Sequence, residues 1–257
     1  MNSVLLNLCA LALFSIVSFT QATDTSCTDF INRNVCNKRK HSLDSAQEKG
    51  CSALYEGFSE IQPKIRKYIN QHIINSFQYT LLSTNFGNHQ TNRPGFEALH
   101  TKLSDETWED AIELIKYNAK RGGHLENYND FRSNDFRSND LKTMLEAQKQ
   151  FPISEYNSLA TALDMHKELA AGAHDIHKEA VRLGQVYHDP EVSSFIENEF
   201  VHKHSKTIRS LAGHLADMNA IMSEYQEQHG GTSLSLYLFD EYLQKSLGVS
   251  GGLGSVV

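Results

Sequence analysis

At 257 residues the chain can hold one large domain or two small ones, and 40% hydrophobic residues with only four prolines permit a sizeable core. A formal net charge of −7 argues against nucleic acid or an anionic membrane as the main partner and suits metal cations better.

Residues 4–19 are an apolar run, and Thr20-Gln21-Ala22 supplies the small residues that a signal peptidase needs. Residues 1–22 therefore read as a secretory signal cleaved near Ala22. The run is short for a spanning helix, and no later stretch is apolar enough to cross a bilayer. Cys9 leaves with the signal. Cys27, Cys36 and Cys51 remain, in a polar extension over residues 23–57 that carries the basic cluster Lys38-Arg39-Lys40-His41 and one short helix near 43–56. In an oxidising compartment these thiols are disulfide candidates: one internal bridge, with one thiol free to pair between chains. Which cysteine is the odd one stays open. Their spacings of nine and fifteen match no zinc pattern. The sequence contains no Asn-X-Ser/Thr sequon.

From Ile61 the pattern turns helical. Ile61, Ile65, Ile69, Ile73, Phe77 and Leu81 recur every four residues, with Tyr68, Ile74 and Leu82 widening the stripe, and Gly87 ends it. So broad an apolar face predicts contact with both a bundle core and a second surface. The second helix spans 94–123. Phe96, Leu99, Leu103, Ala111, Leu114 and Ile115 form its buried stripe, Thr107 lies on that stripe with Asp110 beside it, and Asp105, Glu106 and Glu109 form an acidic stripe with Lys102. Its Arg121-Gly122-Gly123 end is a good stop.

About thirty residues without helical periodicity follow, apart from a short helix at 141–148. Asn129-Asp130-Phe131-Arg132-Ser133 is repeated as Asn134-Asp135-Phe136-Arg137-Ser138, as suits an exposed loop that tolerates insertion. A third helix runs from Ser154 to about Tyr187, its stripe including Leu159, Leu163, His166, Leu169, Ala170, Ala173, Ile176, Ala180 and Leu183. Asp189-Pro190 separates it from a fourth, residues 191–228, which uses Phe195, Ile196, Ile208, Leu211, Leu215 and Met218. Residues 233–247 are a short apolar fifth helix, and a glycine-rich tail follows. Four long helices with one long crossover predict an all-α, ferritin-like four-helix bundle with a short fifth helix.

Particular residues carry that resemblance. Ile65-Arg66-Lys67-Tyr68-Ile69-Asn70, Lys120-Arg121-Gly122-Gly123, Asp189-Pro190, Phe195-Ile196-Glu197 and Tyr237-Leu238-Phe239-Asp240 resemble ferritin. The match runs ungapped from about Ile61 to Gly123 and from Ser154 to Gly248. It implies a ferritin-like domain over 58–248 and a flexible tail at 249–257. The signal and the cysteine-bearing extension resemble the secreted ferritins of insects.

Ferritin subunits are of two kinds. The heavy-chain type holds two irons between glutamates, a histidine, a tyrosine and a glutamine inside the bundle, where bridging carboxylates offset the repulsion between the ions. In this chain those positions are His72, Tyr79, Thr107, Asp110, Ala170 and His204, and only Tyr79 is kept. The resemblance therefore implies a degenerate ferroxidase centre and no enzymatic activity. Whether His72, Tyr79, Asp110 and His204 hold a single ion or pack as core polars stays open. The light-chain type instead offers cavity-facing carboxylates on which ferric oxide nucleates, here Asp105, Glu106 and Glu109; the competing reading is a solvated helix face. At the three-fold channel the resemblance places Ser194 and Glu197, half of the usual acidic pair. The fifth helix would line the four-fold contact.

The expected protein is thus a light-chain-type subunit in the secretory pathway and extracellular fluid. It would store and transport iron as a ferric mineral core, in a cage of twenty-four subunits shared with a heavy-chain-type partner and copies of itself. Two alternatives are a ferroxidase with a relocated site, using Glu97, His100 or His204, and a secreted helical bundle that binds another ligand and forms no cage. Glu97-x-x-His100, Glu199-x-x-His202 and the pair His174 and His177 have metal-like spacing, which 13 histidines and 31 acidic residues also produce by chance.

Overall fold

The protein is described from a computed structural model covering residues 53–55, 57–123, 153–182, 188–225 and 232–248. The signal segment, Cys27, Cys36, Cys51, the short helices expected near 43–56 and 141–148, the duplicated loop and the glycine-rich tail lie outside the described residues. The chain divides into the units Met1–Leu54 and Tyr55–Val257, and the architecture below is that of the second.

Four long helical stretches form a bundle. Helix α1 is Phe58–Phe86, α2 is Pro94–Lys120 and α3 is Glu155–Ala180. The fourth stretch is α4 (Pro190–Ile196), a π-helical turn (Glu197–Val201) and α5 (His202–Tyr225). The short fifth helix of the sequence reading is α6, Thr232–Ser246. No described helix is long and apolar enough to cross a membrane.

Directions follow from the contacts. Ser104 reaches the Ser76 carbonyl and Ser83 that of Glu97, so α2 runs antiparallel to α1. Lys64 meets Glu179, Tyr79 the Ala162 carbonyl and Asn85 that of Ile153, so α3 is antiparallel to α1 as well. Helices α2 and α3 therefore run parallel, which sets this topology apart from an up-down bundle. Lys203 pairs with Asp110 while Arg121 pairs with Asp189, which makes the fourth stretch antiparallel to α2.

The ends are well specified. Ser154 caps α3 by accepting from the Asn157 amide, and Asp189 caps α4 by accepting from Glu191 and Val192. Helix α2 starts with Pro94 at its first position, and Asp240 of α6 accepts its Phe96 amide at 3.0 Å. At the other end Gly122 has φ 79°, a left-handed conformation that glycine adopts without strain.

The structure sharpens one expectation and corrects another. The four-residue stripe of α1 does not stay inside: Ile61, Ile65 and Ile69 are buried, Ile73 and Leu81 are only partly so, and Phe77 is 61% exposed. A step of four residues turns about 400°, so each repeat drifts about 40° from a fixed face. The buried row passes instead to Tyr68, His72, Asn75, Tyr79, Leu82 and Phe86, which is partly polar. The fourth stretch is also not a uniform α-helix. Its π turn adds one residue, and the buried row continues through Ile196, Phe200, His204, Leu211 and Met218.

Candidate functional site

Midway along the bundle α1, α2, α3 and α5 turn a set of polar residues toward one another. His72 is fully buried, and its Nδ1–H donates to the Tyr68 carbonyl at 2.9 Å, one turn back. That bond fixes the tautomer and leaves Nε2 with a lone pair that meets no donor among the described residues. The Tyr68 hydroxyl and His204 Nε2 are 2.7 Å apart, and His204 Nδ1 is likewise unsatisfied. The Tyr79 hydroxyl lies 2.6 Å from His166 Nδ1 and 3.1 Å from the Ala162 carbonyl. Ring centroids of His72 and His166 each lie 5.7 Å from that of His204, and Phe200 wedges against His72 at 5.8 Å.

On the α2 side the side chains are shorter. The Thr107 hydroxyl turns back to donate to the Leu103 carbonyl at 2.6 Å. Asp110 is 7% exposed, and its Oδ1 accepts from Lys203 Nζ at 2.6 Å. On α3, Ala170 is partly buried and brings only a methyl group.

The electrostatics follow from this burial. His72 and His166 are pushed down to about 4 and His204 to about 2, chiefly because burial disfavours the charged imidazolium, with the Lys203 ammonium adding to the effect. All three rings are neutral near pH 7. Burial also raises the Asp110 carboxyl, and the Lys203 ammonium opposes that rise. Tyr68 and Tyr79 are held well above the usual phenol range, again by burial first. This central set thus has one carboxylate, Asp110, and a lysine from the opposite helix already neutralises it. Among the described residues no group of three or more His, Cys, Asp or Glu side chains is arranged to hold a metal ion.

Asp105, Glu106 and Glu109 lie elsewhere. They line an open groove of about 620 Å³ along α2 that Leu247, just beyond α6, also lines. Asp105 and Glu109 are exposed, and Glu106 sits 3.9 Å from Lys102, an i,i+4 pair that contributes a few tenths of a kcal/mol. Glu97 lines the same groove. Its spacing partner His100 points the other way: it is fully buried, stacks on Phe86 at 5.5 Å and donates through Nδ1 to the Phe96 carbonyl. The Glu97-x-x-His100 pair is therefore split between surface and core. Glu199 and His202 are both exposed. Glu197 stands at the start of the π turn, exposed and 3.8 Å from His177, and Ser194 beside it accepts from Asn198.

Two central residues were not legible in the pattern. Lys203 gives no signal in the sequence because its partner Asp110 lies 93 residues away on another helix. His166 was placed on the buried stripe of α3 but without a role; its partner Tyr79 is distant in sequence.

Comparison with known proteins agrees with the fold. The profile of the ferritin-like domain matches residues 63–221. A ferritin light chain of Drosophila melanogaster is 36% identical over 92% of this chain and 97% of its own length. One from Trichoplusia ni is 38% identical over 77% of this chain and 82% of its own. The crystal structure of Trichoplusia ni secreted ferritin superposes with a TM-score of 0.69 at 35% identity, covering 86% of this chain and 99% of that one.

Proposed function

The chain belongs to the ferritin family of iron-storage proteins and resembles the secreted ferritin light chains of insects, and from that premise we propose that it is the non-catalytic subunit of a secreted, mixed cage. The observation that carries this reading is the Lys203 ammonium on Asp110. A two-iron centre needs several anionic oxygens around two mutually repelling cations. Here Thr107, Ala170 and His72 supply none, and the remaining carboxylate is neutralised from within the chain. A heavy-chain-type partner would oxidise ferrous iron, and this chain would supply shell, interchain thiols from Cys27, Cys36 or Cys51, and a surface for mineral growth.

Asp105, Glu106 and Glu109, with Glu97 in the same groove, are the carboxylates suited to that surface. Ferric iron is a hard cation that favours carboxylate oxygen, and several such oxygens along one groove concentrate hydrolysing iron. Glu197 would draw cations toward a three-fold channel, weakly because Ser194 beside it is neutral.

The test has two parts. Cages of this subunit alone, given ferrous iron and dioxygen, should oxidise it no faster than buffer; rapid oxidation would revive a relocated ferroxidase. In mixed cages, Asp105→Asn, Glu106→Gln and Glu109→Gln together should slow core growth without changing assembly. Unchanged growth would return that stripe to a solvated helix face.

A further inference from the structure

Outside the bundle interior, two metal-ligating side chains from different elements face one another. His177 stands in the last turn of α3 and Glu197 opens the π turn of the fourth stretch. His177 Nε2 lies 3.8 Å from Glu197 Oε2, and both side chains are partly exposed. That gap is too long for a hydrogen bond. As an ion pair between groups open to solvent, the contact would contribute little. Its dimensions suit a shared cation better. With zinc about 2.0–2.2 Å from an imidazole nitrogen or a carboxylate oxygen, two tetrahedral ligands stand about 3.4 Å apart. A few tenths of an ångström separate that value from the observed spacing, which partly exposed side chains can close.

The surroundings agree. Single π turns recur at functional sites, and this one begins at the residue that faces His177. No lysine or arginine pairs with Glu197 among the described residues, so its charge stays available, unlike that of Asp110. His174, which shares a metal-like spacing with His177, is exposed and completes no three-residue group among the described residues. Glu197 alone attracts any cation by charge. An imidazole nitrogen beside it discriminates, because it suits zinc and ferrous iron, whereas magnesium and calcium favour oxygen ligands. We propose that His177 and Glu197 bind one divalent transition-metal ion per subunit, with His177 setting the preference over magnesium and calcium. Water completes the coordination shell. The inference rests on Glu197 being a residue that draws cations.

The test uses the full, assembled protein and zinc, which has no redox chemistry of its own. Crystals soaked in a zinc salt and measured at the zinc absorption edge should show a peak between His177 and Glu197. Excess calcium or magnesium should leave that peak in place. His177→Gln should remove it and weaken zinc binding there by roughly tenfold or more, with calcium binding and melting temperature unchanged. Glu197→Gln should weaken both ions. An anaerobic soak in ferrous iron, measured at the iron edge, separates the sources: an iron peak at the same place assigns ferrous cargo, and zinc alone assigns a zinc site. No zinc peak, a peak that survives His177→Gln, or displacement by calcium at equal concentration would overturn the inference and leave Glu197 a simple attractor of cations. No effect of Glu197→Gln on any cation would overturn both readings.

Discussion

Single residues settle the chemistry of the interior, and their ionisation is measurable. His72, His100 and His166 sit at about 4 and His204 at about 2, so all are neutral in the fold and would protonate near pH 6.5 when unfolded. Folded values below the unfolded ones mean that their contribution is complete above pH 6.5 and is lost as pH falls toward 4. The slope should be roughly 1.4 kcal/mol per pH unit for each histidine. Chemical denaturation at several pH values between those limits measures it, and His100→Gln should lower the proton count by one; a flat profile would show that the rings are solvated. Asp110 has the opposite sense, since its folded value is raised and the charged form is tolerated only beside Lys203. Lys203→Met should cost about 1–3 kcal/mol near pH 7, the lysine being a third exposed. The loss should shrink in acid as Asp110 takes a proton, and an equal loss at every pH would contradict the assignment.

At the scale of elements, one buried cation ties the end of α2 to the start of α4. Arg121 is 3% exposed and pairs with Asp189 at 2.6 Å and with Glu191, while its guanidinium lies 4.2 Å from the Tyr55 ring centroid and 4.8 Å from that of Phe58. Tyr117 also donates to Glu191 and stacks on Phe195 at 3.7 Å. Replacing Arg121 by methionine leaves Asp189 buried and unpaired, and should cost about 3–5 kcal/mol in a denaturant titration. Arg121→Lys should recover only part of this, because an ammonium cannot make the forked contact. A loss under about 1 kcal/mol would mean that the pair is solvated. The sequence identified Arg121-Gly122-Gly123 as a helix stop and Asp189-Pro190 as a helix start. It could not join them, since the pairing lies across 68 residues. The drift of α1 was readable in principle from its four-residue repeat, whereas the π turn has no local signature in composition.

Across the whole molecule, large apolar side chains stay on the surface. Phe77 and Trp108 are 61% and 50% exposed on α1 and α2, and Leu234, Tyr237 and Leu238 are 65%, 51% and 58% exposed on α6. Such patches mark association surfaces. Leu234→Arg with Leu238→Arg touches no buried position and should leave helicity intact while shifting the protein to smaller species in size-exclusion chromatography. An unchanged large assembly would show that α6 contributes nothing to association. The breadth of the apolar face on α1 had already predicted a second contact, and Phe77 is where the excess emerges.

The sequence by itself determined the helices, their order and the absence of a carboxylate at Thr107 and Ala170. Those are matters of periodicity, capping and residue identity, which are local or read position by position. Only the tertiary structure decided that Glu97 joins the acidic groove while His100 turns inward, and that Lys203 meets Asp110 across the bundle. The reason is separation along the chain. Asp110 and Lys203 lie 93 residues apart, and the ring that stacks on His100, Phe86, comes from another helix, so no local pattern shows which side chains meet.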